Sequence, residues 1–293
     1  MTRLAWIGLG EAGAAFASAI RVPAAIGYDR KIDDPALRAG KLADFAAAGV
    51  AVTANPAQAV HAADAVLSLV TADQVLAAAD AASPHLRAQT LWFDMNSVSP
   101  DTKRAAARTV EGGGARYLDV AVMAPVLPAR TAVPLLVSGD HADAGAAMLR
   151  HLGFSDVTVL AGGVGAASAV KMIRSVMIKG IEALSAECVL AAEAACVRDA
   201  VIASLDASWP HAGWGRRFDY NLDRMLVHGL RRAAEMEEVA ATLDALGTGS
   251  AMTRAAVTRQ RALGQLRIAP PAGLAAKLHA LDRSGPPMES RAA

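Results

Sequence analysis

Cysteine is scarce in this chain: its 293 residues carry two, Cys188 and Cys196. On one predicted helix, eight positions apart, they sit roughly 12 Å from one another at ~1.5 Å of rise per residue, beyond disulfide reach. They read as buried thiols of a cytoplasmic protein, and no cluster of ligating side chains suggests a metal. Excess charge of one sign is lacking too. Lys and Arg number 29 against 28 Asp and Glu, which leaves no electrostatic footprint for nucleic acid or an anionic membrane. Nor does any uncharged apolar run reach the ~18–20 residues of a membrane span. The nearest, between Asp156 and Lys171, is broken by Gly162, Gly163 and Gly165.

What is present starts at the N-terminus. Leu4-Ala5-Trp6-Ile7 is a charge-free apolar run, as a buried parallel strand requires. It leads into Gly8-Leu9-Gly10-Glu11-Ala12-Gly13 and a helix-forming segment, and a second apolar run, Ala24–Tyr28, ends at Asp29. Strand, glycine loop, helix and then an acid about twenty residues on form a dinucleotide-binding unit. Gly8 permits the tight turn, Gly10 the approach of a pyrophosphate, and Gly13 the packing of helix on strand. N–H groups at the helix start, from Glu11 and Ala12, face the phosphates. Arg3 and Ala17-Ser18-Ala19 give the same stretch the outline of a secretory signal, but Glu11 and three glycines interrupt it and its removal would delete the first strand.

Strands and helices then alternate. A helix over 35–48, strands at 50–52, 65–70 and 90–94, a helix from Ser99 or Pro100, and strands at 117–122, 135–138 and 157–160 predict a doubly wound (Rossmann-type) parallel sheet. Ligand contacts in such sheets lie at the carboxyl ends of strands, which singles out Val70, Thr71, Asn96 and Ser97. After Gly162-Gly163-Val164-Gly165 the pattern becomes wholly helical. One helix is predicted to about Ala207, its apolar stripe being Met172, Val176, Gly180, Leu184 and Cys188, and further helices follow over 218–246, 250–263 and 272–281. Residues beyond Ser284 read as a tail. The domains are thus 1–162, a dinucleotide-binding sheet, and 163–293, an all-α domain.

Three motifs in this order resemble the β-hydroxyacid dehydrogenase and 6-phosphogluconate dehydrogenase superfamily over nearly the whole chain. Gly8–Gly13 matches the cofactor loop GLGxMG, with Ala12 where Met is usual. Asp94-Met95-Asn96-Ser97-Val98-Ser99-Pro100 is similar to DxSTxxP, and Asn96-Ser97 with Asp101-Thr102 to the NSxxxDT of 6-phosphogluconate dehydrogenases. Gly163-Val164-Gly165 followed by Lys171 is similar to GxGxxxKxxxN, whose lysine is catalytic. Two departures stand out: the asparagine of that last motif falls on Ser175, and the substrate loop DAPVSGGxxGA reads here Asp119-Val120-Ala121-Val122-Met123-Ala124-Pro125. Proline has no N–H for a carboxylate, so the resemblance implies a substrate bulkier or less acidic than a small 3-hydroxy acid. The segment His228–Glu238 resembles a little-characterised subgroup of the same superfamily.

The resemblance implies an NAD(P)-dependent oxidoreductase with Lys171 as general acid and base, since oxidation of an alcohol needs a group to take the hydroxyl proton. Asn96, Ser97, Met123, Ser175, His228 and Arg231 are the candidate substrate contacts, and Asn96 also serves the nicotinamide ribose. The plainer readings are an N-cap for Asn96 or Ser97, and an i, i+4 pair of Arg231 with Glu235. Gly8, Leu9, Gly10, Glu11, Ala12, Asp29, Arg30, Val70 and Thr71 form the expected cofactor site. Asp29 disfavours a 2′-phosphate and points to NAD, whereas Arg30 and Lys31 would accept NADP; NAD is preferred. A homodimer through the helical domain is also implied. Two other readings stand beside this one: an imine reductase on the same fold, against which Lys171 counts because such relatives usually carry Asp or Tyr there, and a nucleotide-binding regulator without turnover.

Overall fold

A computed structural model describes residues 2–20 and 22–283; the tail expected beyond Ser284 lies outside them. The chain forms two compact units, 1–171 and 172–293. In the first, β1 (Leu4–Ile7), β2 (Ile26–Tyr28), β3 (Ala51–Val52), β4 (Ala65–Ser68), β5 (Leu91–Asp94), β6 (Arg116–Val122), β7 (Leu135–Ser138) and β8 (Val157–Val159) make one sheet in the order β3-β2-β1-β4-β5-β6-β7-β8. Helices α1 (Glu11–Ala17), α2 (Pro35–Ala48), α3 (Pro56–Val60), α4 (Val75–Ala82), α5 (Pro100–Gly112) and α6 (Ala142–His151) intervene. Successive residues of a strand point to opposite faces. Leu4 and Trp6 therefore join Phe16, Phe45, Phe93 and Leu118 in one core, while Ala5 and Ile7 join Val66, Trp92 and Tyr117 in the other.

Among the described residues every strand pairing is parallel except β6 with β7. A parallel return needs a crossover element. The connection Met123–Pro134 holds only a single 3-10 turn, so β7 runs back along β6. Prolines and capping side chains start the helices where expected: Asn55 caps α3 and Ser99 caps α5, each followed by Pro.

Helix α7 (Ala166–Ala194) opens in the first unit. The glycine junction at 162/163 precedes it, yet the compact first unit extends to Lys171, because Asp119 and Ser138 bind the first turn of α7. The expected continuous helix to Ala207 is broken. Cys196 lies in the left-handed region at φ +58°, its N–H donates to the Glu193 carbonyl and that of Val197 to Ala192, and α8 (Arg198–Ser208) starts afresh. Cys196 is exposed and Cys188 half-buried, so neither thiol has the buried place the sequence suggested.

The second unit adds α9 (Trp214–Ala245), α10 (Ala251–Gln265) and α11 (Leu274–Arg283) around Met172, Val189, Phe218, Met225, Met236 and Leu263. The stripe expected on α7 does not stay inside. Each four-residue step overshoots a 3.6-residue turn by about 40°, so a strict i, i+4 row winds around the helix. Met172 is 1% exposed and Leu184 60%. The buried face instead runs through Met172, Ser175, Lys179, Glu182, Ala186 and Val189. Its charges are matched: Lys179 pairs with Glu235, and Glu182 with Arg232. Burial pulls the Lys179 ammonium below its ordinary value against the opposing pull of Glu235. Helices α9 and α10 cross backbone to backbone, where a Cβ on Gly229 would stand 2.4 Å from the Gln260 carbonyl oxygen.

Candidate functional site

The glycine loop follows β1 directly. Gly8 adopts φ +85°, and a Cβ there would lie 2.4 Å from the Leu69 carbonyl oxygen, so only glycine fits. Its N–H donates to the Tyr28 carbonyl at 2.8 Å. The next residue is held on both sides. Leu9 N–H donates to Asp29 Oδ2 at 2.9 Å, and Lys41 Nζ donates to the Leu9 carbonyl at 3.0 Å. Asp29 Oδ1 accepts from Lys31 N–H at 3.0 Å, capping a short turn that leaves Arg30 and Lys31 exposed. No side chain caps α1, and nothing stands within 4 Å of where Gly10 would carry a Cβ. The loop therefore meets the steric demand of a pyrophosphate lying against Gly10 near the N–H groups of Glu11 and Ala12.

At the carboxyl ends of β4 and β5 the side chain of Asn96 ties the sheet together. Its Oδ1 accepts from Val70 N–H at 2.7 Å, and its Nδ2 donates to Asp94 Oδ1 at 2.7 Å and to Ser68 Oγ at 3.2 Å. Neither Asn96 nor Ser97 caps α5; Ser99 does, accepting from Thr102 N–H. That leaves the Ser97 hydroxyl for another partner. Lys171 Nζ donates to Ser97 Oγ at 2.5 Å, bringing together residues 74 apart in sequence. Both side chains are part-buried. Thr71 starts the turn over 72–74, beyond β4.

Met123 follows β6, and its N–H is already given to the Pro134 carbonyl at 2.9 Å. Ala124, Pro125, Leu127, Pro128 and Ala129 beyond it are exposed, so this loop presents an apolar rim. In the second unit, Ser175 lies on the buried face of α7, His228 is half-buried on α9, and Arg231 is exposed, 3.8 Å from Glu235. Arg232, next to Arg231 in sequence, points inward to Glu182.

Sequence reasoning missed Lys103, which is fully buried. Its Nζ donates to the Asp94 carbonyl at 2.6 Å and to Asp94 Oδ1 at 2.9 Å, and lies 3.4 Å from Asp119 Oδ1. Tyr117 OH donates to Asp94 Oδ2 at 2.5 Å. Burial and that carboxylate push the phenol well above its ordinary value and keep it a donor. A signal was present: Lys103 falls on the same stripe of α5 as Ala106, Ala107 and Val110, the face that an amphipathic helix buries.

Residues 3–154 match the NAD binding domain of 6-phosphogluconate dehydrogenase, and residues 192–263 match a domain of unknown function. No curated protein matches the chain. Among solved structures it is similar to a conserved hypothetical protein from Sinorhizobium meliloti, with 36% identity, 97% of each chain covered and a TM-score of 0.77. The 3-hydroxyisobutyrate dehydrogenase of Mycobacterium tuberculosis, solved with L-serine, shares 20% identity over 89% of this chain and 93% of its own, at a TM-score of 0.72. An imine reductase from Streptomyces aurantiacus shares 22% over 96% and 99%, at 0.56. The last two likenesses are ones of fold.

Proposed function

The chain belongs to the family of the 6-phosphogluconate dehydrogenase NAD binding domain, and on that premise we propose that it is an NAD-dependent oxidoreductase acting on a hydroxy acid or related alcohol. The hydrogen bond from Lys171 to Ser97 carries the reading. It sets an ammonium and a hydroxyl together beside the carboxyl end of β5, where open α/β sheets bind ligands.

Bound nicotinamide would supply the hydride acceptor for oxidation or the donor for reduction. Gly8, Leu9, Gly10, Glu11 and Ala12 would hold the pyrophosphate, Asp29 the adenosine ribose, and Val70, Thr71 and Asn96 the end nearer the nicotinamide. The chain's own part is proton handling. As the neutral amine Lys171 would take the hydroxyl proton while the alcohol becomes a carbonyl, and as the ammonium it would return that proton in reduction, while Ser97 orients the same oxygen. The fixed Asp29 supports NAD: both of its oxygens accept main-chain N–H groups, so the carboxylate cannot turn aside for a 2′-phosphate.

The loop after Met123 supports a substrate whose distal part is apolar. Met123 has spent its N–H on Pro134, and Pro125 has none. Ser175, His228 and Arg231 are carried as candidates for the substrate's remaining groups. A homodimer is part of the proposal: Val170, Ile173, Met177 and Leu184 stand exposed on α7 at spacings of three, four and seven residues, those of a helix-pairing seam. The exposed thiol of Cys196 accords with a reducing, cytoplasmic setting.

The test is a screen of hydroxy acids, sugar acids, aryl and alkyl alcohols and cyclic imines with both nucleotides, read at the reduced-nicotinamide absorbance. Turnover of a hydroxy acid or alcohol with NAD is the expected result. Turnover of imines alone would move the assignment to the imine reductases, and nucleotide binding without any turnover would favour a regulator.

A further inference from the structure

The first unit buries two carboxylates, Asp94 at 1% and Asp119 at 0% exposure, against the fully enclosed ammonium of Lys103. Burying charge is costly unless every member is paired and hydrogen-bonded. Here each carboxylate is well supplied, and the two lead to different places.

Asp94 serves the segment after β5. Its Oδ1 accepts from Asn96 N–H at 3.0 Å and from Asn96 Nδ2 at 2.7 Å, which fixes the residue before Ser97. Asp119 serves the start of α7. Its Oδ2 accepts from Gly165 N–H at 3.1 Å and Ser168 N–H at 3.0 Å, and the Ser168 hydroxyl donates to both its oxygens at 2.7 Å. Ser138 Oγ, which donates to Asp119, accepts from Ala167 N–H at 2.9 Å. Lys171 follows Ser168 by one helical turn.

We propose that Lys103 is a positioning residue that sets Ser97 and Lys171 in register, by holding Asp94 and Asp119 together as one buried ion cluster. The proposal rests on the reading of Lys171 and Ser97 as the reacting pair. Two carboxylates side by side repel, and the ammonium between them offsets that repulsion. Each carboxylate in turn accepts from the N–H groups it aligns. The partial positive charge at the start of α7 adds to this balance at Asp119. Loss of the cation would therefore loosen both segments at once.

Amide hydrogen exchange tests this without any substrate. The reporters are the N–H groups of Val70 and Asn96 on one arm and Gly165, Ala167 and Ser168 on the other. Lys103→Met should raise exchange on both arms together by about tenfold or more. Thr90→Val, which removes a buried hydrogen bond to the Ala63 carbonyl at the opposite end of β5, should lower the melting temperature and leave those five amides unchanged relative to one another. If Lys103→Met leaves too little folded protein, Lys103→Gln should give intermediate exchange on both arms. Faster exchange on one arm only, on neither, or equally in Thr90→Val would overturn the proposal. With a substrate in hand, Lys103→Met should lower kcat by about 100-fold while nucleotide affinity shifts less than about threefold. A wild-type protein that turns over nothing would defeat the catalytic reading, and the exchange result would still decide whether Lys103 couples the arms.

Discussion

Lys171 on α7 and Ser97 after β5 meet through a hydrogen bond of 2.5 Å between residues 74 apart in sequence. The sheet supplies the serine and the helix the lysine, and each arrives on a backbone fixed by a buried carboxylate. Removing the ammonium by Lys171→Ala should lower kcat by about 10²- to 10⁴-fold, the usual span for a general acid or base. Nucleotide affinity, measured by fluorescence titration, should stay within about threefold. Equal loss of affinity and turnover would place Lys171 in cofactor binding instead.

Under the proposed function, Asp29 decides between the two nicotinamide cofactors. Asp29→Asn keeps an acceptor for one N–H but removes the charge that faces a 2′-phosphate. NADP affinity should rise and NAD affinity fall, each by about tenfold, which is about 1.4 kcal/mol. Competitive titration of the two reduced nucleotides reads the ratio, and an unchanged ratio would remove Asp29 from the choice.

Ile173, Met177 and Leu184 give α7 an exposed apolar seam. If a second copy covers it, Met177→Glu places a charge in that contact and should turn a dimer into a monomer at micromolar concentration. Sedimentation equilibrium checks this. A wild-type monomer under the same conditions would end the dimer proposal.

Acid should weaken the first unit through Asp64, which pairs with Arg3 and Arg87. The hydrogen bonds from Arg3 hold its carboxyl down at about 2 in the folded chain, against 3.8 for the unpaired group. A depressed carboxylate contributes stability above the unfolded value and loses it as pH falls through the folded one. Melting temperatures of wild type and Asp64→Asn should therefore differ above about pH 4 and converge near pH 2. A gap that persists at pH 2 would point to packing rather than charge.

Gly229 and Gly264 let α9 and α10 touch. A Cβ on Gly264 would stand 2.5 Å from the Leu230 nitrogen, and both neighbours are backbone that cannot step aside. Gly229→Ala should cost about 1–3 kcal/mol or more, the range for overpacking. Gly40→Ala on α2, with nothing within 4 Å of its added Cβ, should instead stabilise by about 0.5–1 kcal/mol. Thermal unfolding of the two variants should move in opposite directions.

The linear order of residues carried a good deal of this. Gly8, Gly10 and Asp29 could be read because a glycine loop between strand and helix has few other uses. The doubly wound sheet followed by helices could be read because periods of 2.0 and 3.6 residues are local properties. Those signals need only neighbours in sequence. The stop of α7 before Cys196 escaped notice, since a cysteine with positive φ leaves no mark in composition. The reversal of β7 followed from a connection with no crossover helix, although the loop's prolines alone did not reveal it.

The pairing of Lys171 with Ser97 and the burial of Lys103 between Asp94 and Asp119 were decided by tertiary structure. A lysine's ordinary fate is solvent, and only the sheet's register, with Asp94 opposite Asp119, sets two carboxylates where one ammonium can satisfy both. Sequence alone determined which elements form, because that depends on local periodicity. The fold determined which charges meet, because the cost of burying a charge depends on partners that only the assembled chain brings within reach.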